Sequence, residues 1–184
     1  MDDTSFAVLE AAFRTKYFQY EDVIKWADAE IAALDSPPKW LLDLSFSTDE
    51  DIAAARMNLA MMQKVERSGR QNFSDETSRL FLYLGFLWLG FEKGNISADE
   101  LLRLASDELF YWNEDGDFGE TLWEKRLSEL TKLFYQYLDR KIDCTKISVC
   151  GDSELAKRAR RVFMPFAEFA SQLMCQLPDG LTKI

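Results

Sequence analysis

The sequence predicts an all-α fold, a single-domain bundle of seven or eight helices, from three observations. Apolar residues recur at three and four positions along almost the whole chain. Two Ser-x-x-Glu capping boxes, Ser47 to Glu50 and Ser97 to Glu100, stand ahead of apolar runs. Alternating, strand-like apolar spacing is confined to Ile147 and Val149. A chain of 184 residues fits one domain, and 47% hydrophobic content with 14 phenylalanines supplies a core despite a net charge of −10.

Taken in order, Phe6, Leu9, Phe13 and Tyr17 predict a first helix from Thr4 to Lys16. The acidic pair Glu21 and Asp22 opens a second helix whose stripe is Ile24, Ala27, Ile31 and Leu34, halted by Asp35-Ser36-Pro37-Pro38. The prolines then open a short third helix with Trp40, Leu41 and Leu44. The first capping box starts a fourth, with Ile52, Ala55, Leu59 and Met62 facing inward, ending before Gly69. Ser74 caps a fifth that ends at Gly94, and its run from Leu80 to Phe91 is too short to span a bilayer, so it is expected buried in protein. Within it, Gly85 and Gly90 admit close approach of a neighbouring helix. The second capping box opens a sixth helix with Leu101, Leu102, Ala105, Leu109 and Trp112 inside. After the loop from Asn113 to Gly119, a seventh carries Leu122, Leu130, Phe134, Tyr137 and Leu138. The stretch from Lys141 to Asp152 is the least helical, with Ile147 and Val149 as a short strand, and a last helix runs from Ser153 to Gln176, bending at Pro165.

A shift of 78 residues aligns Phe13, Val23, Ile24, Lys25, Ala27, Glu30 and Ile31 with Phe91, Leu101, Leu102, Arg103, Ala105, Glu108 and Leu109. Helical pairs at 4–35 and 82–113 are therefore expected to be similar hairpins, with acidic outer faces on their second helices and both acidic blocks at equivalent positions on one face.

Charge and chemistry together favour binding over catalysis. From Glu21 to Asp51 there are nine carboxylates against Lys25 and Lys39, and from Asp107 to Glu120 six carboxylates with no cation. Charge of one sign concentrated in patches steers oppositely charged partners. The chain has no histidine, so Ser-His-Asp, Cys-His and histidine-ligated zinc arrangements are unavailable. It contains no nucleophile elbow, P-loop or dinucleotide fingerprint, and no cofactor is expected. The loop around Gly116 has acids but not the order of a calcium loop: with Gly116 sixth, Tyr111 and Leu122 fall at the first and twelfth positions, where acids are required. The one basic cluster, Lys157, Arg158, Arg160 and Arg161, shares a helix with Glu154 and Glu168, so no direct nucleic-acid surface is expected. The N-terminal residues lack signal-peptide character, which makes cytoplasmic residence the expectation. Cys144, Cys150 and Cys175 are odd in number, without C-x-x-C spacing, and read as reduced thiols.

The segment from Trp26 to Ser45 has the form W-A-D, a spacer, D-x-P-P, then a hydrophobic turn ending in L-S. It resembles small helical bacterial immunity proteins of contact-dependent growth inhibition and related polymorphic toxin systems. The resemblance covers about twenty-five residues, and beyond them rests on size and helical character. It implies a cytoplasmic, non-catalytic inhibitor of one cognate toxin domain, often a basic nuclease, and carries over no particular binding residues. The partner-binding candidates are Asp28, Glu30, Asp35 and Asp43 in the first block and Glu114, Asp115 and Asp117 in the second, with Trp40 or Tyr111 as aromatic anchors. A carboxylate-only hydrolase and a helical adaptor are the alternative classes.

Overall fold

The computed structural model describes residues 3–68, 76–112, 122–139, 142–177 and 179–182. They form eight helices of seven residues or more: α1 (Asp3–Arg14), α2 (Tyr20–Ala33), α3 (Lys39–Ser45), α4 (Glu50–Ser68), α5 (Glu76–Lys93), α6 (Ala98–Trp112), α7 (Leu122–Leu138) and α8 (Glu154–Leu173). Short 3-10 turns at Cys144–Lys146 and Met174–Gln176 and a final turn α9 (Asp179–Thr182) complete an all-α bundle.

Helix α5 is the centre because its sequence allows nothing else. Every residue from Leu80 to Trp88 is buried, and a helix apolar around its whole girth must be wrapped on all sides. Leu82 and Phe86 face a cluster built from α1 to α4, whereas Leu84, Leu87, Trp88 and Phe91 face one built from α6, α7 and α8. Gly85 sets the distance to α8. A Cβ there would stand 2.2 Å from the Phe166 carbonyl oxygen and 2.7 Å from the Ala170 methyl. Around that contact Trp88 stacks on Phe163 with centroids 5.5 Å apart, and Phe81 packs on Phe166 at 5.3 Å. Ser153 caps α8 by accepting from the Ala156 N–H at 3.0 Å, and the helix continues through Pro165 to Leu173.

The turns that lead out of α1 and α5 share one hydrogen-bond pattern, although α6 packs on α5 and α2 packs mainly on α3. After α1 the Lys16 N–H bonds the Phe13 carbonyl and the Tyr17 N–H the Ala12 carbonyl, at 3.0 and 2.9 Å. After α5 the Gly94 and Asn95 N–H groups bond Phe91 and Gly90 at the same two distances, 3.0 and 2.9 Å. Each is a Schellman turn with a left-handed residue, Lys16 at φ 57° and Gly94 at φ 79°. The turns also meet each other, because the Asn95 side-chain amide donates to the Lys16 and Tyr17 carbonyls at 2.8 and 3.1 Å. In the second helices Val23 and Ala27 are buried as Leu101 and Ala105 are, while Glu21, Lys25, Asp99 and Arg103 are exposed. Exposed carboxylates stand on both, Glu21 and Asp28 on α2 and Asp99 and Asp107 on α6.

Several expectations are corrected. The first capping box does not form: Asp49 caps α4, accepting from the Ile52 N–H at 2.9 Å. Ser47 is instead buried, donating to the Asp43 carbonyl and accepting from Arg56, both at 3.2 Å. The buried stripe of α4 is Ala53, Met57 and Ala60, leaving Ile52 39% and Leu59 57% exposed and Ala55 on the surface. That stripe has the same helical regularity, and its small residues let α4 approach the apolar α1 closely. The Met62 side chain and Ser74 lie outside what is described. Leu34 and Leu138, expected inside, are 44% and 59% exposed at helix ends. Ile147 and Val149 form no strand. Asp143 accepts from the Thr145 N–H at 3.1 Å and starts the 3-10 turn, after which both residues pack onto the second cluster. The second capping box does form, with Ser97 N–H to Glu100 at 2.9 Å and Glu100 N–H to Ser97 at 3.2 Å.

Gly85→Ala is expected to lower stability by about 1–3 kcal/mol through overpacking against backbone, outweighing a helix-propensity gain of at most about 1 kcal/mol. Urea unfolding with an unchanged slope and a lower midpoint is the readout.

Candidate functional site

The first acidic block lies on α2, α3 and the turn joining them. Asp28 is exposed and accepts a hydrogen bond from the Ser45 hydroxyl, which ties α2 to α3. Glu30 is half-buried and Asp35 exposed. Trp40 is half-buried, its ring edge-on to Phe6 at 4.8 Å and stacked over Trp26 at 6.4 Å. Its outer side, with Asp43, Arg56 and Leu59, lines a hollow of about 90 Å³ between α3 and α4. Arg56 donates to the Asp43 carbonyl at its base. The structure therefore brings Trp40 and Asp43 to one site between α3 and α4, and leaves Asp28 outside it on α2, tied to the end of α3 through Ser45.

For the second block, α6 places Tyr111 in its last turn, but that side chain is outside the described ones, as are Glu114, Asp115 and Asp117 altogether. Helix α2 packs on α3 and α9, and α6 on α5, α7 and the Cys144–Lys146 turn. Asp28 and Asp107 thus sit on helices of different core clusters.

Sequence reasoning missed a charged network between α1 and α6. Glu10 is only 4% exposed. Arg14 reaches Glu10 at 3.4 Å and Glu108 at 3.1 Å, with its guanidinium 4.9 Å above the Tyr83 ring. Arg79 and Tyr83 help enclose a void of about 20 Å³ beside them, room for one water molecule and no substrate. Burial pushes the Glu10 carboxyl above its usual range, with Arg14 partly opposing, and burial pushes the Tyr83 hydroxyl up as well. The arrangement holds two carboxylates around one guanidinium and pins α1 to α6. The available signal was Glu10 lying one turn from Phe6, Phe13 and Arg14, the one polar residue in the run from Phe6 to Phe13.

A second missed feature is apolar. Phe110 is 87% and Tyr135 62% exposed, on α6 and α7. Phe110 falls off the stripe of Leu101, Leu102, Ala105 and Leu109, so an aromatic on the wrong side of an amphipathic helix was the readable sign. Among the described residues no cluster of three or more carboxylates and thiols is placed to hold a metal, and no helix is long and apolar enough to cross a membrane. No protein-family model, curated protein or solved structure matches the chain.

The buried Glu10 yields a pH test. Its folded pKa is raised, so its favourable contribution is present below the unfolded value of about 4.5 and is lost as pH rises through the folded value. Glu10→Gln, which does not titrate, should therefore improve relative to wild type as pH rises from there into the neutral range. Paired urea midpoints across that range measure it, and a constant difference would show that Glu10 titrates as a solvated carboxylate does.

Trp40→Ala is expected to lower stability by about 3 kcal/mol, because the lost ring leaves a cavity against Phe6 and Trp26. The unfolding midpoint measures this, and an unchanged midpoint would place the ring's role outside the core.

Proposed function

We propose that this protein is an immunity protein, a non-catalytic inhibitor that binds a cognate toxin domain, probed best as a basic nuclease, and covers its substrate groove. The observation that carries the reading is the exposure of Glu21 and Asp28 on α2 and of Asp99 and Asp107 on α6, in a chain without histidine. Nuclease grooves hold phosphates with lysine and arginine. Carboxylates on α2, α3 and the 113–120 segment supply charge-assisted hydrogen bonds to such cations. The segment from Trp26 to Ser45, with its resemblance to immunity proteins, supports the same reading, and its Trp40 and Asp43 share a surface hollow with Arg56 of α4. Cytoplasmic action belongs to the proposal, since the inhibitor must meet the toxin where the nucleic acid is.

The test is protection. Cells making this protein should survive the toxin encoded beside its gene, and cells lacking it should not; equal killing of both removes the reading. Converting Glu114, Asp115 and Asp117 together to lysine is expected to slow association with the purified toxin domain and flatten its salt dependence, with a smaller effect on dissociation. Stopped-flow capture at several ionic strengths measures both.

A further inference from the structure

Helix α4 has two apolar sides, and the core takes one of them. Ala53, Met57 and Ala60 are buried, whereas Ile52, Ala55 and Leu59, at three- and four-residue spacing along another side, stay exposed. Leu59 and Trp40 line the hollow of about 90 Å³ between α3 and α4, and Phe46, in the turn leading into α4, is 73% exposed. Single exposed apolar residues are ordinary on a protein surface, but a stripe of them at helical spacing marks an unpartnered helix face. The charge on this side has one sign. From Trp40 to Ala55 there are four carboxylates and no lysine or arginine. Asp49, Glu50 and Asp51 are exposed, and among the described residues none of the three has an ion-pair partner. Neither flanking cation reaches them: Lys39 lies at the far end of α3, and Arg56 donates to the Asp43 carbonyl and the Ser47 hydroxyl.

We infer that the outer side of α4, with Phe46 ahead of it, is where the toxin domain docks, an inference that rests on the inhibitor reading above. The occupant is a basic protein surface that lays apolar side chains along Ile52 and Leu59 and sets lysines or arginines against Asp49, Glu50 and Asp51. An apolar centre with a charged rim is the usual anatomy of a specific interface, and phenylalanine and tryptophan, here Phe46 and the outer side of Trp40, are among the types enriched in one. A second copy of this chain is the poorer occupant, because the same face of another molecule brings carboxylates where cations are needed.

The experiment compares the wild type with the double variant Phe46→Ser/Leu59→Gln, glutamine being chosen to keep helix propensity in α4. Phe110→Gln is the control, because Phe110 is 87% exposed on α6. The probe is the catalytically inactivated toxin domain encoded beside this gene, in calorimetric titration. The expected result is a Kd raised at least about 30-fold by the double variant and changed less than about threefold by the control, with unfolding midpoints of all three proteins alike. Glu50→Gln/Asp51→Asn, which removes charge and no apolar contact, is expected to slow association and flatten its salt dependence; an unchanged association rate would overturn the basic occupant. Tight wild-type binding that the Phe46/Leu59 variant retains would overturn the docking face and leave the inhibitor reading standing. Absence of wild-type binding would overturn both. A drop in the unfolding midpoint confined to the Phe46/Leu59 variant would assign the face to a segment of this chain, and a dimer abolished by that variant in sedimentation would assign it to a second copy; either overturns the proposal.

Discussion

The constraint on which the rest of the structure depends is the approach of α5 to α8 at Gly85. The space a side chain would fill there is occupied by the Phe166 carbonyl and the Ala170 methyl. With backbone so close to backbone, Phe81, Trp88, Phe163 and Phe166 interdigitate on either side. Helix α5 is then the wall shared by two apolar clusters: Leu82 and Phe86 belong to one, Leu84, Leu87 and Trp88 to the other. Helix α1 is enclosed as well, buried from Ser5 to Phe13, whereas α2 and α6 bury one side only, which frees their outer sides to carry charge.

The two clusters are joined a second time, through polar contacts at the hairpin turns. Lys16 and Gly94 take the same left-handed role, and Asn95 stitches one turn to the other. The second hairpin uses glycine where left-handed backbone is least strained; the first uses lysine, whose ammonium reaches Glu100 at 3.6 Å. Lys93 lies 4.1 Å over the Tyr17 ring at the same junction. With the Arg14 link between Glu10 and Glu108, these contacts tie α1 and the turn after it to α6 and the turn before it.

Much of this frame was legible in the sequence where a local rule had no competitor. Leu80 to Phe91 read as buried because nothing charged interrupts the run before Glu92, and the Ser97 capping box read correctly because the Ser97 hydroxyl is engaged within the box, with Glu100. Ser47 has such partners. Arg56 and the Asp43 carbonyl draw it inward, so the cap passes to Asp49, and the face of α4 turns to bury Ala53 and Met57 in place of Ile52 and Leu59. Of the candidate site, the acidic blocks were legible as charge counts, whereas Glu10 and Phe110 were not. Glu10 is held in the interior by Arg14, whose guanidinium is fixed there by Glu108 only when α1 meets α6. Phe110 becomes notable only once α7 lines up beside it to make a groove.

The occlusion proposed for this protein would set its acidic helical surface where a cationic nuclease holds its substrate. The direct measurement is a competition, in which this protein is titrated into the inactivated toxin domain carrying a fluorescent oligonucleotide, with anisotropy and mass followed together. The account predicts displacement of the oligonucleotide in proportion to a one-to-one protein complex. A stable ternary complex, with the oligonucleotide still held at full occupancy, would contradict it.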